Sequence, residues 1–157
     1  MSKLSQIKND LLNNKILDVS SHDADIVIQF LNIKLWINSM WRLEFDNEIL
    51  IGSDKFYEYL SHPDYKDDYS EAILYLKKKL KDSLITDVDF TNFNEINLKL
   101  NNGFLLKTFQ AYGIEAENFQ LIKSEKRLLA YQNKVEEEDH HKFHNSFIKN
   151  KNGDSSF

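Results

Sequence analysis

His140 and His144 stand four residues apart, a spacing that puts two imidazoles on one helix face as zinc ligands. The residues between them are His141, Lys142 and Phe143, so the glutamate of a zinc-protease helix is missing. The stretch around them, Glu136 to His144, is charged or histidine apart from Phe143. A metal site also needs neighbours that hold its ligands in place, and a solvated tail offers none. We read residues 136–157 as a charged, disordered tail and assign no metal ligand in it.

His22 lies beside Ser20, Ser21, Asp23 and Asp25, the residue types of a hydrolytic triad. A hydrolase or a metal-dependent enzyme using His22 or the tail histidines is therefore one open reading. A nucleophile elbow is absent, and the four glycines form no phosphate-cradling loop. Serine and aspartate at this density also make a turn. No catalytic residue and no cofactor is assigned.

The third cluster is acidic and aromatic. Between Glu44 and Glu71 stand nine acids (Glu44, Asp46, Glu48, Asp54, Glu58, Asp64, Asp67, Asp68, Glu71) against Lys55 and Lys66. The segment carries −7 of a net −5, which leaves the rest of the chain at +2. Such a field repels nucleic acid and speeds the encounter with cationic partners. Tyr57, Tyr59, Tyr65 and Tyr69 are interleaved with the acids, and tyrosines serve as interface anchors. The expected partner-binding residues are Tyr57, Glu58, Tyr59, Asp64, Tyr65, Asp67, Asp68, Tyr69 and Glu71.

These clusters need a scaffold, and the sequence nearly repeats one. Ile26-Val27-Ile28-Gln29-Phe30 aligns with Ile96-Asn97-Leu98-Lys99-Leu100, about 70 residues on. Each run crosses a short turn into a second apolar run. Trp41-Arg42-Leu43 then matches Phe119-Gln120-Leu121, and Ile49-Leu50-Ile51 matches 127–132. That match predicts a strand at 127–132, although the helix propensity of the surrounding residues competes. The alternation of Ile26, Ile28 and Phe30 is that of a half-buried strand. Trp36 is out of phase with Leu35 and Ile37, which points to the core or cover by a helix, with a binding face as the alternative. Ile73, Leu76 and Leu80 give a helix from Ser70 or Asp68 to about Lys81 a one-sided apolar stripe. Leu4, Ile7 and Leu11 do the same for a short helix capped by Ser2 or Ser5.

The expected fold is α+β, with two repeated antiparallel β meanders, pseudo-twofold, and a linking and covering helix. One duplicated domain spans residues 1–135. Repeat one covers about 15–54, the acidic link and helix 55–82, and repeat two about 84–132. The chain has no cysteine, which removes disulfides and thiolate chemistry. Its N-terminus, MSKLSQIKNDLL, is polar where a secretion signal needs an apolar core, so a cytoplasmic location without a membrane partner is expected.

Trp41, Arg42 and Leu43, running on to Ile49, Ile51, Gly52, Ser53 and Asp54, form a pattern followed by Leu98, Leu100, Gly103 and Phe109 in a second hairpin. The pattern resembles small uncharacterised bacterial proteins with two diverged β repeats, in which a strand reads W-R-hydrophobic and continues to G-S-D. The resemblance covers about residues 15–132 and departs in the acidic connection and the tail. It implies an immunity protein of a toxin–immunity system, with no enzymatic activity carried over. The expected function is a non-enzymatic module that binds a basic toxin domain. A structural or oligomeric scaffold is the other reading left open.

Overall fold

A computed structural model describes residues 1–54, 68–110, 113 and 115–139. In them the chain runs α1 (Lys3–Leu11), β1 (Asp18–His22), β2 (Asp25–Phe30), β3 (Ile33–Ile37), β4 (Met40–Phe45) and β5 (Glu48–Gly52). It continues α2 (Asp68–Leu80), β6 (Ile85–Phe90), β7 (Ile96–Leu100), β8 (Leu105–Phe109), β9 (Glu117–Lys123), β10 (Lys126–Tyr131) and β11 (Lys134–Asp139).

Local chemistry accounts for the boundaries. The Ser2 side chain accepts from Ser5 N–H at 3.1 Å and caps α1, which buries Ile7 and Leu11. α2 buries Ile73, Leu76 and Leu80, the predicted stripe. In β2 the alternation is realised as predicted, with Ile26, Ile28 and Phe30 all buried. Asp46 and Asn47 both take positive φ (51° and 63°), the two-residue turn whose twist suits a hairpin. The run predicted at 127–132 is a strand and not a helix, β10 taking Lys126–Tyr131. Val135 packs against the core and β11 pairs with β10, so residues 136–139 belong to the fold and not to the tail. Residues 140–157 lie outside the described residues.

The meanders do not stay whole. The first sheet has the order β1-β2-β3-β9-β10-β11, and the second β5-β4-β8-β7-β6. All pairings are antiparallel. The chain leaves the first sheet at Asn38 and Ser39, whose N–H groups both donate to Asn118 C=O (3.0 and 3.1 Å). β3 therefore takes β9 as its neighbour, with Leu35 opposite Leu121 and Ile37 opposite Phe119. β4 takes β8, with Leu43 opposite Leu106 and Trp41 opposite Thr108. The inner faces of both sheets share one hydrophobic core, in which Trp41, Phe30 and Phe119 are the largest fully buried side chains.

The helices cross in the same sense. α1 packs on β6 and α2 on β1. Lys8 Nζ meets Asp87 at 3.0 Å, and Lys77 Nζ meets Asp18 at 2.8 Å. Asn13 N–H donates to Ile85 C=O (2.9 Å), and Asp82 N–H to Ile16 C=O (2.8 Å). Asn13 and Asp82 both sit at positive φ, and Lys15 bridges Leu84 between them.

Hydrogen bonding from Lys77 holds the Asp18 carboxyl below the usual aspartate range, and Lys8 does the same to Asp87. A carboxyl depressed by folding stabilises the folded state in full above the pKa of the unfolded chain. That contribution is lost as the pH falls through the folded value. We predict that Asp18→Asn combined with Asp87→Asn lowers the thermal midpoint at neutral pH. The two melting curves should then converge below about pH 4. Midpoints followed by circular dichroism from pH 7 to pH 2 check this.

Candidate functional site

Both ends of the acidic connection are fastened to the scaffold. β5 ends at Gly52, where an added Cβ would stand 2.9 Å from the Trp41 carbonyl oxygen. Only glycine lets the strand approach so closely there. The next residue, Ser53, is buried. Its Oγ accepts from Trp41 N–H at 3.0 Å, and its own N–H donates to Trp41 C=O at 2.9 Å. At the returning end Tyr69 is buried, and its hydroxyl donates to Ala24 C=O at 2.8 Å. Ala24 lies in the β1–β2 turn, so the connection comes back beside Asp23 and Asp25.

Tyr57, Glu58, Tyr59, Asp64, Tyr65 and Asp67 lie outside the described residues. Asp68 opens α2, and Glu71 is exposed on its first turn, where a carboxylate complements the helix dipole. Tyr69 departs from the expected surface anchor, because its ring fills the contact between α2 and the β1–β2 turn. Glu44 also leaves the acidic surface. Its carboxylate is held by Arg42 and, at 3.6 Å, by Lys107. Asp46 and Glu48 remain exposed at the β4–β5 turn, and Asp54 is exposed beyond the opposite end of β5.

Trp36 is not in the core, and it stays open to the alternative of a binding face. It lies half-buried on the outer face of the first sheet, and its indole N–H donates to Asp25 Oδ2 at 2.8 Å. Asn38 Nδ2 donates to the same oxygen at 3.0 Å, and the His22 ring packs 5.1 Å from the indole. A groove of about 530 Å³ runs past Trp36 between Val27, Lys34 and Ile122. Ser20 and Ser21 are exposed in it, and neither hydroxyl is hydrogen-bonded to His22. His22 is thus an exposed ring resting on a tryptophan, and its side chain meets Asp23 at 3.8 Å.

Comparison with family models, with curated proteins and with solved structures finds no match.

Two further features went unread in the sequence. One is the acidic edge strand β11, which has no apolar alternation to announce it. Around it, burial first, then the carboxylates of Glu117, Glu136 and Glu138, push the Tyr131 phenol above its usual range. The other is the pairing of Trp36 with Asp25, eleven residues apart in sequence and joined only by the β2–β3 register. Among the described residues no three His, Cys, Asp or Glu side chains gather as a metal site would require. No helix among them is long and apolar enough to cross a membrane.

We predict that Tyr69→Phe and Ser53→Ala each cost about 1 kcal/mol, the usual loss when one buried hydrogen bond is broken. Urea unfolding at neutral pH measures this. Unchanged midpoints in both would mean that neither end is fastened.

Proposed function

We propose that this protein is a non-enzymatic protein-binding module, an immunity-type inhibitor that takes a basic toxin domain on its acidic, tyrosine-bearing connection. The observation that carries the reading is the fastening of both ends of residues 55–67, at Ser53 and at Tyr69. A segment held at both ends loses less conformational entropy on binding than a free one. Acids on such a segment speed the approach of a cationic partner, and buried tyrosines fix it. A toxin that acts on nucleic acid presents a basic site, and an acidic surface is complementary to it.

The scaffold reading that goes with this is a duplication with pseudo-twofold symmetry. It is supported by the strand orders. Exchanging each strand for the one five places away turns β1-β2-β3-β9-β10 into β6-β7-β8-β4-β5. The registers agree: Leu35 with Leu121 corresponds to Leu106 with Leu43, and Ile37 with Phe119 to Thr108 with Trp41. So do the ion pairs Lys8–Asp87 and Lys77–Asp18. On this reading the repeat begins at α1 and not at residue 15. The connection and β11 are then additions to the shared frame, and additions are where specificity should sit.

The test is a pull-down with the toxin domain encoded beside this protein, using the parent and a variant with Glu58, Asp64, Asp67, Asp68 and Glu71 neutralised to Gln or Asn. We expect the neutralised variant to fold normally and to lose at least tenfold in affinity, with the parent's affinity falling as salt rises. Equal capture by both proteins at all salt concentrations would remove the connection from the interface.

A further inference from the structure

We infer, on the duplicated frame proposed above, that the free edge of β5 is a docking site for an extended segment of a cationic protein, which adds to the second sheet as a sixth strand. Four strands end the two sheets: β1, β11, β5 and β6. An edge strand presents unpaired backbone N–H and C=O groups, and proteins blunt it with charged or polar side chains. Three of the four edges follow that rule. Their exposed side chains are Ser20, Ser21 and His22 on β1, Thr86 and Asp89 on β6, and a lysine with three acids on β11. β5 departs from it. Beside Glu48 it exposes Ile49 (61%) and Leu50 (38%), and Phe45 in the same hairpin is 43% exposed. Among the described residues β4 is the strand paired with β5, and the other edge of β5 is open.

What adds there is indicated by the first sheet, where the matching edge is taken. β10 stands in the frame where β5 does. The pair Leu121–Leu128 corresponds to Leu43–Ile51, Ile122–Arg127 to Glu44–Ile49, and Lys123–Lys126 to Phe45–Glu48. β11 lies on the far side of β10 and matches it in charge. Asp139 stands opposite Lys126 and Glu138 opposite Arg127, whose guanidinium meets the Glu138 carboxylate at 2.6 Å. A helix and an added strand coexist at this place. α1 touches β11, with Lys3 Nζ donating to Val135 C=O at 3.2 Å, and α2 packs beside β5 in the same way. The first sheet has six strands and the second five, and no described strand fills the place next to β5.

The register of β11, carried over, defines the occupant. Glu48 stands where Lys126 does, so a lysine or arginine fits opposite it. Ile49 stands where Arg127 does, and an apolar side chain fits opposite it. Charge acts along the whole edge. Asp46, Glu48 and Asp54 are exposed, and no lysine or arginine stands between Asp46 and Asp54. The described bases around the hairpin are engaged elsewhere. Arg42 and Lys107 hold Glu44, and Lys79 lies over the Tyr75 and Phe104 rings. A second copy of β5 would bring these three acids against the same three acids. The occupant is therefore a segment of another protein, with bases at its ends and apolar residues between them.

The probe is a blocked peptide of alternating valine and threonine between two pairs of lysines, titrated into the full-length protein and followed by backbone amide shifts. Saturable shifts are expected at Phe45 and from Glu48 to Ile51, with slowed amide exchange on β5. They should be absent when glutamates replace the lysines. Binding should be at least tenfold weaker when the peptide is N-methylated along one edge, which keeps its side chains and removes strand pairing. Ile49→Lys should leave the thermal midpoint in place and weaken binding at least tenfold, and Glu48→Gln should also weaken it. No saturable shifts on β5, or equal binding by the N-methylated peptide, would overturn the proposal. So would shifts on β5 that follow protein concentration without peptide, which would make a second copy the occupant. Binding lost with Ile49→Lys but untouched by Glu48→Gln would mean a strand on this edge in another register, a failure of the frame and not of the edge. Neutralising the acidic connection should leave the peptide shifts in place, so loss of toxin capture and loss of peptide binding are read separately.

Discussion

Two seams hold this protein together, β3 against β9 and β4 against β8. On either side of them lie pieces too small to stand alone, a three-stranded and a two-stranded fragment from the first half of the chain, and their complements from the second. An isolated hairpin is marginal in water, and an open three-stranded piece exposes one apolar face and two edges. Pairing across the halves closes both sheets over one core. The helices add to this constraint, since each packs on the first strand of the opposite half and carries a lysine to its aspartate. All of these contacts are long-range in sequence, so no half reaches its final form before the other is present.

That constraint explains which parts of the fold were legible in the sequence. The hairpins at 25–37 and 96–109 follow from apolar alternation and short turns, and α2 follows from a stripe that ends in lysines. The strand β10 could be read only through its likeness to β5, because its own residues also suit a helix. The exchange of strands between halves was not legible. Period-two alternation marks which face of a strand is buried and carries nothing about which strand lies beside it. β11 was missed for a different reason. An edge strand with one partly buried apolar residue, Val135, and four successive acids has the composition of a solvated tail. Of the expected partner-binding residues, Tyr69 turned inward. A tyrosine among acids reads as an anchor, but only tertiary contact with Ala24 reveals that its hydroxyl is taken.

The functional reading follows from what the frame leaves over. Ser53 and Gly52 fix where the acidic connection leaves, and Tyr69 fixes where it returns, so the scaffold acts as a clamp on the segment proposed to meet a partner. Trp36, held by Asp25, whose carboxylate also accepts from Asn38, is a second rigid aromatic feature near that return. Trp36 beside Asp25 thus sets a fixed aromatic surface next to a carboxylate.

The central claim, that the two halves complete each other, is tested most directly by cutting the chain in the acidic connection. Fragments 1–67 and 68–157 should be made separately, and their unfolding followed alone and as an equimolar mixture. The account predicts that neither fragment, as a monomer, has a cooperative transition, and that the mixture recovers one transition with the amide spectrum of the intact protein. A monomeric fragment that folds cooperatively alone, with a mixture that merely sums the two spectra, would contradict it.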